Sequence, residues 1–251
     1  MPKNFKLVLE YDGSAFHGWQ RQKNERTVQG EIEKALMTMT GRRISVAGSG
    51  RTDAGVHALG QVASFQCDTE LSADVFRKGI NSLVSADLVV KSCEPAPETF
   101  HARFDAKSKT YRYRILNRGT PSALYRRYSW FISKKLNTGA MRGAAGFAIG
   151  AHDFKAFEGS GSPRASTVRQ VMRAELLEKD CGMVEFEIEA GGFLRFMVRN
   201  IVGTLVDVGL GKISPADFKN ILLSKDRSRA GITAPPQGLF LVEVKYENPT
   251  P

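Results

Sequence analysis

Hydrophobic residues stand at every second position near the start of the chain. Phe5, Leu7, Leu9 and Tyr11 have this spacing, and a period of two predicts a half-buried strand. The same pattern, bounded by turn residues, predicts further strands near 44–49, at 60–66 and 87–93, over 109–116, near 168–178 and 183–190, and over 239–246.

Other segments repeat their hydrophobic residues at helical spacing. A helix is predicted after Thr27, a residue type that caps helices, because Val28, Ile32 and Leu36 then fall on one face. Further helices are predicted from Ser72, over about 138–148 and 194–208, and from Ser214, where Asp217 completes a capping-box pattern.

Helices between strands in both halves of the chain indicate an α+β fold. The two halves have a similar order of elements, which suggests a pseudo-repeat without repeated sequence. We predict two domains, 1–105 and 106–251, with the Pro-Ala-Pro segment at 95–97 in the boundary zone.

The chain is strongly basic. Lys and Arg number 36 against 26 Asp and Glu, which gives a net charge of +10. A surplus of this size indicates a polyanionic partner, although it does not distinguish RNA from DNA or anionic lipid. No signal peptide and no long apolar run is recognisable, so we expect a cytoplasmic protein without a membrane span.

Known motifs for cofactors and metals are missing. Residues 48–53 begin like the G-x-G-x-x-G dinucleotide fingerprint but have aspartate at the last glycine position, and neither a phosphate loop nor a zinc deaminase signature occurs. The three cysteines and four histidines lack metal-ligand spacing. We therefore expect no cofactor and no metal.

Residues 50–57, which read GRTDAGVH, form the most informative segment. Its glycines permit positive φ and the close approach of a ligand, and Arg51 favours the ionised form of Asp53. An aspartate in a turn also commonly only accepts backbone N–H bonds. On local chemistry alone, a catalytic carboxylate and an Asx-turn therefore both stay open.

This segment resembles the nucleophile loop of the TruA-type tRNA pseudouridine synthases. Five other segments resemble motifs of that family in the family order, and together they span residues 5–246. They are YDGSAFHGWQRQ at 11–22, FHARF at 100–104, YRYR at 111–114, FMVRNIVG at 196–203 and GLFLV at 238–242.

The resemblance implies a fold and an activity. The fold has two ferredoxin-like halves whose mixed, largely antiparallel sheets join into one sheet, with the active-site cleft between the halves. The implied enzyme is a homodimer that isomerises uridine to pseudouridine at positions 38, 39 and 40 of the tRNA anticodon arm.

The resemblance also implies roles for individual residues. Asp53 is the nucleophile, and Arg199 pairs with it. Tyr111 stacks on the target uracil and is a candidate for taking the C5 proton. Leu239 forms an apolar wall under the base, and Arg51 helps to flip the nucleotide. Whether the carboxylate attacks C1′ or C6, or a glycal forms, stays open, since each route uses an ionised carboxylate.

The residues themselves allow plainer interpretations as well. Arg199 lies in an apolar helix, where an arginine is usually paired, and an ion pair within the core satisfies that requirement equally well. A tyrosine at an alternating strand position, such as Tyr111 or Tyr113, is often only a core residue. We keep Tyr113 as a core residue.

Basic residues concentrate between 103 and 127, where the one acid is Asp105. Tyrosines are interleaved with them, so this stretch is the candidate track for an RNA backbone, with Arg112 and Arg114 as substrate-binding residues. The basic residues are Arg103, Lys107, Lys109, Arg112, Arg114, Arg118, Arg126 and Arg127.

Two other functions remain compatible with the sequence. An RNA-binding module without chemistry needs the basic track and tyrosines but has no need of Asp53, Tyr111 and Arg199 together. A synthase of the same fold that acts on other uridines has the same catalytic residues, so only a map of modified positions distinguishes it.

Overall fold

The computed structural model describes residues 2–159, 161 and 165–246. Within this part of the chain there are ten strands and five α-helices. The strands are β1 (Lys3–Tyr11), β2 (Ala47–Gly48), β3 (His57–Cys67), β4 (Leu88–Ala96), β5 (Ser108–Asn117), β6 (Trp130–Ile132), β7 (Gly150–Asp153), β8 (Val168–Glu178), β9 (Met183–Ala190) and β10 (Leu239–Lys245). The helices are α1 (Val28–Thr40), α2 (Ala73–Leu83), α3 (Thr138–Gly146), α4 (Met197–Gly209) and α5 (Pro215–Ser224).

The chain divides into two units, one of Met1–Lys107 with Phe240–Pro251 and one of Ser108–Leu239. The predicted domains 1–105 and 106–251 stay a prediction. The last strand pairs in parallel with β3, and the chain from Phe240 onward belongs to the first unit. Sequence order alone does not reveal this return.

The first unit is a sheet with two helices. β1 lies between β3 and β4 and is antiparallel to both, while β2 pairs with the other edge of β3. Thr27 and Ser72 cap α1 and α2 through their side-chain oxygens. The core is aromatic: Phe5 stacks on Phe65 at 5.2 Å, and Phe76 of α2 meets both rings edge-on.

The strands of the second unit pair mainly antiparallel to one another. β9 lies between β5 and β8, β7 follows β8, and β6 runs parallel to β5. Almost every residue of α4 is buried. The predicted capping box of Ser214 and Asp217 is confirmed at the start of α5, whose Phe218 stacks on Phe157 at 5.5 Å.

The predicted α+β class is confirmed, and most predicted elements lie at or near their expected positions. The strand expected near 44–49 is only two residues long, and β6 and β7 were not predicted because three or four residues cannot show a period. Among the described residues, no helix has the length and apolar character needed to cross a membrane. The joining of two sheets around a cleft stays a prediction.

Candidate active site

The segment with Asp53 forms a tight turn between β2 and β3. The N–H of Val56 donates to the carbonyl of Asp53 at 3.1 Å, and Gly55, the third residue of the turn, has a φ of +77°. That φ suits glycine, as in a type II turn. The turn leaves Asp53 half-buried and Arg51 exposed.

Residues before the turn are fixed to β3 by a buried glutamine. The hydroxyl of Ser49 donates to Oε1 of Gln61 at 2.6 Å, and Nε2 of Gln61 donates to the carbonyl of Gly50 at 3.0 Å. Gln61 is fully buried. A buried amide with this many partners restricts the backbone that carries Arg51 and Asp53.

The segment at 11–22 wraps around the turn. The backbone N–H of Trp19 donates to the carbonyl of Thr52 at 3.1 Å, and the backbone N–H of Gly55 donates to the carbonyl of Phe16 at 3.3 Å. The hydroxyls of Tyr11 and Thr52 are 2.8 Å apart, and burial raises the pKa of Tyr11 to about 12. Two motifs that are distant in sequence therefore form one structure around Asp53.

A glycine makes the close approach of these two segments possible. Gly18 has a φ of +87°, and a Cβ placed there lies 2.6 Å from the carbonyl oxygen of Thr52. The family resemblance included this segment, but sequence reasoning gave it no role in holding the turn. The two glycines in the segment, Gly13 and Gly18, were the available signal.

The same segment is attached to α1 by a buried polar cluster. Oε1 of Gln29 accepts the N–H of Arg21 at 2.9 Å, and Arg21 forms an ion pair with Glu33 at 2.8 Å. The other carboxylate oxygen of Glu33 accepts the N–H of Val46 at 3.1 Å. The cluster therefore connects α1 to the segment at 11–22 and to Val46, which precedes the Asp53 turn.

His57 ends the turn and is almost fully buried. Its Nδ1 is 3.0 Å from the N–H of Gly13 and 3.1 Å from Oδ1 of Asp12. The backbone N–H of Gly13 can only donate, so we assign the lone pair to Nδ1 and the ring proton to Nε2. The ring stacks on Phe240 at 4.7 Å.

Tyr111 and Tyr113 lie on the same face of β5 but have different surroundings. Tyr113 is fully buried, and its hydroxyl donates to the carbonyl of Pro235 at 2.7 Å; burial raises the pKa of Tyr113. This confirms its prediction as a core residue. Tyr111 is 7% exposed and meets Phe193 edge-on at 5.0 Å.

Arg199 lies in the first turn of α4 and is half-buried. Its Nε donates to the carbonyl of Ala234 at 2.7 Å, and the N–H of Ala234 donates back to the carbonyl of Arg199 at 3.1 Å. The positive charge of Arg199 lowers the pKa of Tyr113, against the larger effect of burial. The second unit therefore brings Arg199 close to β5.

Phe196 directly precedes α4 and has the unusual φ of +60°. Its carbonyl accepts the N–H of Asn200 at 2.9 Å, and the guanidinium of Arg199 lies 5.0 Å from its ring. This conformation explains why the helix begins at Met197 rather than near 194. A non-glycine residue at this φ is uncommon and often marks a functional segment.

Nothing in the sequence indicated that the segment 227–235 has a role in the site, yet this segment supports Arg199 and Tyr113 through Ala234 and Pro235. Arg227 donates to the carbonyls of Ala230 and Gly231 and to Oδ1 of Asn200. Desolvation lowers the pKa of Arg227. The chain then continues to Leu239, which is 5% exposed. Leu239 is the last residue of the second unit, which also contains the two tyrosines.

Arg112 and Arg114 are paired with acids from a neighbouring strand. Nε of Arg112 donates to Glu187 at 2.7 Å, and Nε of Arg114 donates to Glu185 at 2.9 Å. The sequence showed one acid among eight basic residues between 103 and 127, because the acids of β9 are distant in sequence. Arg126 and Arg127 are exposed.

The predicted site residues fall in both units. Asp53 and Arg51 lie in the first, and Tyr111, Arg199 and Leu239 lie in the second. In the part of the chain that the structure describes, no group of three or more His, Cys, Asp or Glu residues is placed to hold a metal ion.

Comparison with known proteins places the chain in a family. Residues 7–105 and 144–247 match the family described as tRNA pseudouridine synthase. Proteins named tRNA pseudouridine synthase A from Thermoanaerobacter pseudethanolicus, Acetivibrio thermocellus and Ruminiclostridium cellulolyticum are 48%, 47% and 46% identical to it. Each alignment covers 244 residues, 97% of this chain and 100% of the relative.

The chain belongs to the tRNA pseudouridine synthase family. The family predicted from its motifs is thereby confirmed, as is its assignment to the isomerases.

Proposed function

We propose that this protein isomerises uridine to pseudouridine in the anticodon arm of tRNA, at positions 38, 39 and 40. The observation that carries the proposal is the tightly held turn of Asp53, in a chain that matches relatives named tRNA pseudouridine synthase A over their full length. The net charge of +10 suits a polyanionic substrate.

Asp53 is the nucleophile in this proposal. The reaction breaks the bond between C1′ and N1, joins C1′ to C5, and moves a proton from C5 to N1, so atoms and electrons balance without a co-reactant. Its catalytic requirement is an ionised carboxylate held against the nucleotide. The restraints on the turn from Gln61, Trp19 and Phe16 support this role, since they limit the positions open to the carboxylate.

Tyr111 and Arg199 complete the proposed catalytic set. Tyr111 stacks on the target uracil and takes the C5 proton, and Arg199 pairs with Asp53. Leu239 supplies the apolar wall below the base, and Arg51 fills the place that the flipped nucleotide leaves. The exposure of Arg51 and the half-buried position of Arg199 support these roles.

The remaining proposals concern RNA binding and assembly. Arg112 and Arg114, held in place by acids of β9, and the exposed Arg126 and Arg127 contact the phosphate backbone. The protein is cytoplasmic and acts as a homodimer, in which both subunits grip one tRNA.

The first test is tritium release from C5-labelled uridine in unmodified tRNA. Wild type should release tritium, and Asp53→Asn should release none while its Kd for tRNA stays within a few fold of wild type, because the carboxylate acts in chemistry. Thermal unfolding of both proteins controls for folding. Substantial turnover by Asp53→Asn contradicts the nucleophile assignment. Tight binding without release by wild type favours the RNA-binding module.

A further inference from the structure

The FHARF segment at 100–104 folds into a hydrogen-bonded turn that the catalytic proposal does not use. His101 and Asp105 bracket it: the N–H of His101 donates to Oδ2 of Asp105 at 2.8 Å, and the N–H of Asp105 donates to the carbonyl of His101 at 3.2 Å. Nδ1 of His101 accepts the N–H groups of Arg103 and Phe104 at 3.1 and 3.4 Å. The histidine therefore holds the backbone of the turn from inside.

The turn is attached to the body of the first unit through Ala102, which is fully buried. Its N–H donates to the hydroxyl of Ser64 on β3 at 3.1 Å, and its carbonyl accepts the hydroxyl of Tyr246 at 2.6 Å. Phe100, just before the turn, packs against the ring of Tyr246 at 5.2 Å. Hydrogen bonds therefore hold both the N–H and the carbonyl of Ala102.

On this anchored turn, Phe104 points outward and is 74% exposed. Its ring lies 4.3 Å from the ring of His101, and the guanidinium of Arg103 lies 5.7 Å from its centre. The two rings and the cation form a small platform, whereas Phe100 in the same motif is packed. Phe104 is a large aromatic side chain that packing leaves exposed on an anchored turn, so its ring offers a flat apolar surface for stacking.

Arg103 is the cation at the platform itself, Asp105 is the acid beside it, and further basic residues lie around Tyr246. The ammonium of Lys6 lies 5.2 Å from the ring of Tyr246, the ring whose hydroxyl holds Ala102. Lys107 donates its backbone N–H to the carbonyl of Lys245 at 2.9 Å, and both side chains are exposed. The carboxylate of Asp105 is engaged by the N–H of His101. An aromatic platform among cations has the chemistry of a nucleobase and its phosphate.

We infer that the platform formed by His101, Arg103 and Phe104 stacks on an unpaired nucleobase of the tRNA, at a position other than the uridine that reacts. The inference rests on the proposed function, because it takes tRNA as the partner. Phe104 provides the stacking surface, and Arg103 provides a contact to the adjacent phosphate.

The test compares tRNA binding by five proteins over a range of salt concentrations. They are wild type, Phe104→Ala, Phe104→Trp, Arg103→Gln and Leu223→Ala. Leu223 is the matched control, because it is a similarly exposed apolar residue (62%) on α5. Truncation of Phe104 removes little packing, and thermal unfolding verifies that each variant folds.

We expect Phe104→Ala to raise Kd about tenfold at every salt concentration, the loss typical of one stacked base. Phe104→Trp should bind like wild type, and Leu223→Ala should not change Kd. Arg103→Gln should instead reduce the slope of log K against log salt by about 0.7 to 0.9, as for one lost phosphate contact. Leu223→Ala should form pseudouridine at the wild-type rate, because Leu223 lies outside the platform.

An unchanged Kd of Phe104→Ala, with wild type forming pseudouridine normally, overturns this inference and leaves the proposed function intact. A change in the molecular mass of Phe104→Ala in solution also overturns it, because the platform is then a contact between copies of the chain. If wild type neither binds tRNA nor releases tritium, the proposed function itself fails.

Discussion

The backbone N–H of Gly13 donates to Nδ1 of His57 at 3.0 Å, which ties the turn after β1 to the residue that ends the Asp53 turn. The approach is so close that a Cβ on Gly13 lies 2.0 Å from the carbonyl oxygen of Val56. No side chain fits there without moving backbone. The glycine and the histidine, which are 44 positions apart, are therefore parts of one structural unit.

Two substitutions of His57 test its hydrogen bond with Gly13 separately from its stacking on Phe240. His57→Phe keeps an aromatic ring against Phe240 but leaves the buried N–H of Gly13 without an acceptor, which should lower the free energy of unfolding by about 1–3 kcal/mol. His57→Asn places an oxygen near the position of Nδ1 and should retain that hydrogen bond. We expect kcat to fall about 10- to 100-fold in His57→Phe with little change in KM, since the Asp53 turn loses a restraint.

Urea unfolding and steady-state tritium release on both variants provide the measurements. Wild-type kcat in a folded His57→Phe would show that the hydrogen bond does not position Asp53.

The ion pair between Asp87 and Arg26 should make stability depend on pH. Two hydrogen bonds of 2.7 and 2.8 Å from Arg26 hold the pKa of Asp87 below its ordinary value. Because the folded pKa is the lower one, this stabilisation is complete above the unfolded value of about 3.9 and is lost as pH falls through the folded pKa.

Asp87→Asn should therefore be less stable than wild type by about 1 kcal/mol at neutral pH. The two unfolding free energies should converge as pH falls below about 4. Chemical denaturation of both proteins across this range checks the sign, and a difference that grows at low pH is the opposite result.

The pairing of Arg112 with Glu187 predicts a non-additive pair of mutations. The side chain of Glu187 is 9% exposed, so Arg112→Gln leaves a largely buried carboxylate with less compensation and should destabilise the protein by about 1–3 kcal/mol. The double variant Arg112→Gln/Glu187→Gln should recover most of that loss. Arg173, which also pairs with Glu187 at 3.1 Å, then still has Glu175 at 3.2 Å. Equilibrium unfolding of the full mutant cycle measures the coupling.

A double variant less stable than Arg112→Gln contradicts this account. The tRNA binding of the double variant is informative as well. A smaller slope of log K against log salt than that of wild type supports the proposed phosphate contact of Arg112.

Two helical glycines should respond oppositely to alanine. A Cβ on Gly203 in α4 lies 1.7 Å from the backbone oxygen of Ile232, whereas a Cβ on Gly143 in α3 meets nothing within 4 Å. Gly143→Ala should stabilise the protein by about 0.5–1 kcal/mol through helix propensity. Gly203→Ala should destabilise it by more than about 2 kcal/mol. Overpacking typically costs about 1–3 kcal/mol and occasionally more.

Thermal and urea unfolding distinguish the two cases. Equal stability of Gly203→Ala and wild type would mean that chain 227–235 moves away from α4 without loss.

Local patterns located most elements correctly where an element was long enough to repeat its pattern. β1, α1 and the capping box of α5 are examples, since hydrophobic period and cap residues lie within a few positions of one another. β6 and β7 are too short to show a period. The start of α4 was displaced because the positive φ of Phe196 depends on its surroundings and not on its residue type.

The sequence by itself determined the family, the candidate nucleophile and the residue types in each motif, because those features are local and ordered along the chain. Only the tertiary structure revealed that residues 11–22 hold the Asp53 turn, that acids of β9 pair with Arg112 and Arg114, and that β10 returns to the first unit. These contacts join residues far apart in sequence, and their partners are set by strand pairing and backbone approach, which a one-dimensional pattern does not encode.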